Sequence, residues 1–255
     1  MSDVDLRRSF HQELEAVRDG LTGLAASVTE AIPRATQVLL DGDLEGADYM
    51  ILADNEIDRR SLALEERCYQ VLALQAPVAS DLRQVIAAVK MLGEIERSGD
   101  LTVNICKAAR RIYGHDIDPR LRGTITRMSD QAQQLFRFAI DAYAESDVPL
   151  ASAIGDMDDM LDRLHAEFIQ QIFESHAGGR LDLQVGVQLA LVARFYERIG
   201  DHAVNIGGRV RYIVTGWLPT HEGVNRLRST LEPGSSAEDD DTEGADTGPE
   251  ASDGG

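Results

Sequence analysis

Apolar residues recur at steps of three or four from the start of the chain. Leu6, Phe10, Leu14, Val17, Leu21, Leu24, Val28, Ile32, Ala35 and Leu39 form one such series, which is the period of a helix with one buried stripe. The spacing predicts a long helix over 6–39. Pro33 should kink it and not end it, because the stripe continues past the proline. Asp41, Gly42 and Asp43 read as a stop and restart, with Gly42 suited to a left-handed cap and Asp43 to the next N-cap. A second helix is expected over 44–74. Ala76, Pro77 and Val78 break it, and a third follows over 80–113 with Ser80 or Asp81 as its N-cap. After Gly114, His115 and Asp116 the pattern returns, with helices over 119–144, 148–176 and 182–215. Ser146-Asp147 and Gly178-Gly179 separate them. No strand-like alternation is sustained.

The return is a duplication. A shift of 101 places Glu96, Arg97, Gly99 and Asp100 on Glu197, Arg198, Gly200 and Asp201, and Val103, Asn104 and Ile105 on Val204, Asn205 and Ile206. A shift of 104 places Asp43, Asp54, Asp58 and Arg59 on Asp147, Asp158, Asp162 and Arg163. The difference is an indel in the linker between second and third helices, where loops tolerate length change. The expected fold class is therefore all-α. It comprises two tandem three-helix bundles, over 1–115 and 116–218, and a disordered acidic C-terminal tail over 219–255.

Charge narrows the function classes. The formal net charge is -19 in 255 residues. Glu232, Glu238, Asp239, Asp240, Asp241, Glu243, Asp246, Glu250 and Asp253 lie in the tail, where no Lys or Arg follows Ser229. The bundles keep an acidic excess without it. Such a surface repels phosphate backbones, which argues against nucleic acid, and suits cations or a basic partner. Two cysteines, Cys68 and Cys106, fall inside helical patterns and read as buried, reduced thiols. There is no apolar leader at the N-terminus and no run near the ~18 residues of a membrane span. The expected location is the cytoplasm.

The chemistry sits in carboxylates at i, i+4: Asp54 and Asp58, Glu96 and Asp100, Asp158 and Asp162, Glu197 and Asp201. On a helix this spacing stacks both acids on one face, at a cost of a few tenths of a kcal/mol per like-charged pair. Asn104 and Asn205 continue the faces of the third and sixth helices. The acids also stand in line with apolar positions. Leu44, Ala47, Ile51 and Leu62 flank Asp54 and Asp58, and Glu96 and Asp100 share a sector with Leu82, Ile86 and Val89. Carboxylates where helices should meet each other or a partner call for compensation. A bound cation is the simplest. Oxygen donors select a hard or borderline ion and exclude thiolate-type selectivity. Gly99 and Gly200 border the pairs and leave room for a cluster or a close helix, although mid-helix glycine costs ~1 kcal/mol relative to alanine. His165 and His202 have no counterpart in the first copy, which reads as packing or surface roles.

One pair alone is ordinary in so acidic a chain, and Arg59, Arg97, Arg163 and Arg198 could neutralise it in a scaffold without metal. Four pairs in register across a duplication favour metal. A carboxylate-bridged di-iron enzyme or metal store is the rival of another class. Its bundles use Glu-x-x-His pairs, and this sequence has none.

These motifs resemble the PhoU family of phosphate-uptake and phosphate-signalling regulators. The resemblance spans roughly 6–217 and is most specific over 197–205, with Glu197, Arg198, Gly200, Asp201, His202 and Asn205. Ser98 stands where isoleucine is commoner, and the acidic tail is outside the family pattern. The resemblance implies a multinuclear metal cluster on the eight carboxylates, iron or zinc first, manganese or magnesium next, with Asn104 and Asn205 as supporting groups. It further implies a homodimeric, non-enzymatic adaptor, peripheral to the membrane only through its partners. Those partners would be the ATPase subunit of a phosphate ABC transporter and a sensor histidine kinase, and the adaptor would keep the starvation response off when phosphate is plentiful.

Overall fold

In the computed structural model, residues 3–217 are described. They form six helices: α1 (Asp3–Asp41), α2 (Leu44–Gln75), α3 (Ala79–Arg111), α4 (Pro119–Glu145), α5 (Val148–Ala177) and α6 (Leu183–Thr215). No strand occurs among the described residues. The expected acidic tail lies outside them. No described helix is long and apolar enough to cross a membrane.

Helices α1, α2 and α3 pack mutually, as do α4, α5 and α6. The two bundles join where α1 meets α4 and α3 meets α6. One apolar cluster runs through both, from Phe10 and Leu21 in α1 to Leu189 and Ile206 in α6. Removing each such side chain from water contributes ~1.5–3 kcal/mol. The described residues accordingly lie in one compact unit.

Helix α1 passes through Pro33 without a break. Proline has no N–H for the carbonyl one turn earlier, that of Thr29. The side chain of Gln133 on α4 donates to that carbonyl instead, at 3.3 Å. Gln133 is the counterpart of Thr29 under the 104-residue shift. The end of α1 closes as expected, with Gly42 at φ +64 and Asp43 accepting from Gly46 N at 2.9 Å. The second copy repeats the turn with Ser146 at φ +56 and Asp147 accepting from Leu150 N at 2.9 Å.

Arginines from each bundle cap helices of the other. Arg18 on α1 donates to the carbonyl of Ala144 at the end of α4. Arg122 on α4 donates to that of Leu40 at the end of α1. The shift of 104 carries Arg18 onto Arg122 and Leu40 onto Ala144, so the contact is reciprocal. A cation at a helix C-terminus satisfies orphan carbonyls and complements the dipole.

The start of α3 differs from expectation. Val78 is the N-cap and makes no side-chain cap, and the helix begins at Ala79. Pro77 disfavours helical backbone at Ala76. The turn is made by Ala76 at φ +43 and Ala79 at φ +50, so Ser80 and Asp81 already stand in the first helical turn. In the second copy Asp182, the counterpart of Asp81, is the N-cap and accepts from Gln184 N at 2.8 Å.

Candidate metal centre

The antiparallel pairs α2/α3 and α5/α6 each bring four of the carboxylates together. In the first copy Asp54 and Glu96 are half-buried, while Asp58 and Asp100 are exposed. Burial pushes the Asp54 carboxyl up to about 6, with Asp58, Asp100 and Glu96 adding to the rise and Lys107 opposing it. Burial also raises Glu96, helped by Asp100 and Asp58. Both effects disfavour the charged form, the first by desolvation and the second by repulsion.

The second copy is tighter. Burial pushes Asp158 up to about 7, and Asp162, Asp201, Asp159 and Glu197 reinforce it. Asp162 and Asp201 are raised as well, first by burial and then by Glu197. Asp158 Oδ1 and Glu197 Oε2 are buried and have no hydrogen-bond partner. Gly200 explains how Asp158 fits. A Cβ at Gly200 would stand 2.3 Å from Asp158 Oδ1 and 2.8 Å from Leu161 Cδ2. Gly99 is looser, since its Cβ would meet Asp54 Oδ1 at 3.7 Å, an ordinary contact.

The arginines beside the motifs mostly look elsewhere. Arg59 pairs with Glu56 at 2.6 Å and Arg97 with Glu94 at 2.9 Å, neither of them a motif carboxylate. Arg163 reaches Met160 Sδ at 4.0 Å. The arginine that does bind a motif acid is Arg194, on Glu197. It lies three residues before Glu197, a spacing visible in the sequence, and its counterpart in the first copy is Gly93.

His202 is buried in the α3–α6 interface, with Nδ1 2.6 Å from Glu94 Oε2. Burial raises the Glu94 carboxyl, but the bonds from His202 and Arg97 outweigh it and hold Glu94 below its ordinary value. Asn205 donates to the same Glu94 oxygen at 3.5 Å, which turns its amide toward α3. Asn104 is half-buried on α3. His165 Nδ1 lies 3.9 Å from Glu197 Oε2. The Glu94–His202 bridge had no signal in the repeat, because the counterparts of the two residues are Phe195 and Leu101.

The apolar sector shared by the first-copy acids is only partly core: Ala47 is buried, and Ile51 and Val89 pack against the core. Leu82, Ile86 and Leu62 are exposed, the last at 66%. Asp58 and Glu96 line a solvent-facing groove between α2 and α3, while Asp54 lines a separate cavity with Ser27, Arg60 and Thr102.

All donors in each cluster are carboxylate oxygens, and the second cluster holds two orphaned ones, that of Asp158 cradled by Gly200, so the residues fit a hard cation. No three His, Cys, Asp or Glu side chains among the described residues converge closely enough to hold one ion in this arrangement. The thiols are no rivals as ligands. Burial pushes Cys68 up to about 11 and Cys106 up to about 12, so both stay protonated near neutral pH.

The PhoU domain matches twice, over residues 21–109 and 125–210. The chain belongs to the PhoU family. It is 34% identical over 221 residues to the phosphate-specific transport system accessory protein PhoU homolog 1 of Mycobacterium tuberculosis, covering 86% of this chain and 99% of that protein. The PhoU homolog of Pseudomonas putida is 28% identical, with 89% of each chain covered. The crystal structure of PhoU from Pseudomonas aeruginosa superposes with a TM-score of 0.76 at 29% identity, over 82% of this chain and all of that one. That of the phosphate transport system regulatory protein PhoU from Streptococcus pneumoniae gives 0.76 at 26%, over 83% and 99%. The two PhoU domains coincide with the two bundles carrying the two acidic clusters.

Proposed function

We propose that this PhoU-family chain is a metal-binding, non-enzymatic regulator of phosphate uptake that acts in the cytoplasm. The observation that carries the phosphate role is its match, over nearly their whole length, to relatives named as accessory proteins of phosphate-specific transport. As an adaptor it would contact the transporter's ATPase subunit and a sensor histidine kinase, as a homodimer, and hold the starvation response off in excess phosphate. Asp54, Asp58, Glu96 and Asp100 would hold metal in the first bundle, and Asp158, Asp162, Glu197 and Asp201 in the second, with small side-chain movements closing each cluster. A multinuclear site of iron or zinc, or of manganese or magnesium, would supply positive charge to carboxylates that burial and mutual repulsion disfavour in the charged form, beyond what Arg194 gives Glu197. The orphaned oxygens of Asp158 and Glu197 support this reading.

The regulator is tested in a deletion strain grown in excess phosphate. Phosphate-repressible alkaline phosphatase should be high and return to low with the wild-type gene. Unchanged low activity would count against the role. Metal is tested by elemental analysis after chelator-free purification. Stoichiometric metal should be retained and then lost in the Asp100→Ala, Asp201→Ala double variant, whereas a metal-free wild type would end the metal reading.

A further inference from the structure

Between α1 and α2 of the first repeat lies a cavity of about 380 Å³. Ala31, Met50, Ala53, Ile57 and Val103 give it apolar walls, and Arg60 stands at one end beside Ser27. Arg60 is half-buried. Its Nη1 donates to Ser27 Oγ at 3.1 Å, and its Nη2 would lie 3.5 Å from a Cβ at Gly23. The Ser27 hydroxyl donates in turn to the Gly23 carbonyl at 3.2 Å, so α1 positions the guanidinium. Among the described residues Ser27 is the one hydrogen-bond partner of Arg60, and Arg60 joins no ion pair. The acids around the cavity are placed otherwise. Glu56 is held by Arg59 at 2.6 Å and feels Arg60 only at a distance. Glu30 stands 3.9 Å from Arg34. Asp54 comes six positions before Arg60, ~9 Å along the helix axis, and its Oδ1 lies toward Gly99 on α3.

The second repeat fills the same place. The shift of 104 carries Arg60 onto Leu164, Ala53 onto Met157, Arg34 onto Phe138 and Ser27 onto Gln131. Leu164 is buried, and Met157 and Phe138 pack against the core. The Gln131 amide donates to the Met157 carbonyl at 3.1 Å. One repeat thus closes this corner with apolar side chains, while the other keeps it open and sets a half-buried cation in it. A guanidinium removed from water without a carboxylate is costly unless another anion meets it.

We propose that the α1–α2 cavity of the first repeat binds a small amphipathic oxyanion, whose acidic group meets the Arg60 guanidinium and whose apolar body lies on Met50, Ala53 and Ile57. Small-molecule sites combine apolar walls with a few fixed polar groups, in volumes of ~300–1,000 Å³. Guanidinium binds carboxylates and phosphates through charge-assisted, often bidentate bonds, which would orient the ligand. Carboxylates and phosphate monoesters on an apolar body share this chemistry. The site is separate from the metal clusters and rests on neither the metal nor the regulator reading.

The probe is anilinonaphthalenesulfonate, an oxyanion on an aromatic body, titrated into the full chain and followed by its fluorescence. The dye also settles on exposed apolar surface, so the readout is the difference between wild type and two variants that borrow residues of the second repeat. Arg60→Leu should weaken saturable binding tenfold or more as the anion loses its cation. Binding to apolar surface alone would change in the opposite direction, because leucine adds such surface. Ala53→Met, at an exposed position, extends into the cavity and should weaken binding about fivefold. Urea midpoints show which variants are folded, and Ala53→Met decides alone if Arg60→Leu does not fold. Equal or tighter binding by the folded variants would overturn the proposal. Competition then identifies the acidic group. Phenyl phosphate or phenylpropionate should displace the dye from wild type, and the one acting at lower concentration gives the ligand class. Displacement by neither, or by inorganic phosphate as readily as by the better of the two, would overturn the proposal as well.

Discussion

The two repeats hold matching sets of four carboxylates in unlike surroundings. In the first, Gly99 leaves ordinary space beside Asp54, and Arg97 lies against Gly93 while pairing with Glu94. In the second, Asp158 presses against Gly200, Arg194 pairs with Glu197, and burial raises Asp158 to about 7 where Asp54 reaches about 6. Gly207 adds to the difference. A Cβ there would stand 2.8 Å from the Ala151 carbonyl, whereas its counterpart in the first copy is Cys106, near Met50 Sδ at 3.6 Å. Closer helices desolvate the acids between them, and desolvation moves a carboxyl further than one added neighbour does. Duplication copies the ligand types, while packing decides their protonation and reach.

The sharpest way to break this comparison is at the glycines. Gly200→Ala should destabilise by about 1–3 kcal/mol, since the new methyl overlaps Asp158 and Leu161. Gly99→Ala should be neutral or stabilise by up to ~1 kcal/mol through helix propensity. Urea unfolding of the two variants at one pH checks both, and equal losses would mean the two sites are packed alike.

The bridge between repeats comes next. His202→Leu leaves Glu94 short of one partner in a buried place and should cost about 1–2 kcal/mol. Adding Glu94→Phe recreates the apolar pair found at Leu101 and Phe195 and should recover most of that loss. A double-mutant cycle by denaturation measures the recovery.

A smaller effect tests the reciprocal caps. Arg18→Ala and Arg122→Ala should each cost about 0.5–1.5 kcal/mol and by similar amounts, because each leaves one helix end with an unmet carbonyl. A large effect from one alone would show the bundles unequally clamped.

The last test is pH. The folded values of Asp54 and Asp158 lie above the ~3.9 of an unfolded aspartate. Their favourable contribution is therefore complete below about pH 4 and is lost as pH rises toward 6 for Asp54 and 7 for Asp158. Metal-free protein should lose stability across that window. Asp158→Asn should flatten the loss up to pH 7, and Asp54→Asn only up to pH 6. Both groups are partly exposed, so solvent screening keeps the changes small. Denaturation midpoints at half-unit intervals from pH 4 to 8 would show the order.

Much of this was legible from residue order alone. The stripe from Phe10 to Leu39, the Gly42-Asp43 cap, the shift of 101 and the four acid pairs predict the helices and bring the acids onto two helix pairs. Helical period says which residues share a face, but not whether another helix covers it. That is why Leu62, Leu82 and Ile86 read as core and stand in solvent. Caps depend on backbone dihedrals that residue types do not fix, so α3 starts at Ala79, with φ +50 there, ahead of Ser80 and Asp81. The Glu94–His202 bridge joins residues 108 apart on helices whose contact no local spacing encodes. Arg194 was one turn from Glu197 and could have been found by comparing it with Gly93.

The paired contacts of Arg18 with Ala144 and of Arg122 with Leu40 have a history written into them. A relation in which i touches j′ while j touches i′ is the signature of an isologous interface, the kind that two identical subunits form about a two-fold axis. Here both halves lie on one polypeptide. A gene encoding a single bundle would present the arginine and the open helix end together, and two of its products would close on one another through the same pair. On one polypeptide each half can diverge separately, and the difference between Gly93 and Arg194 stands without undoing the join.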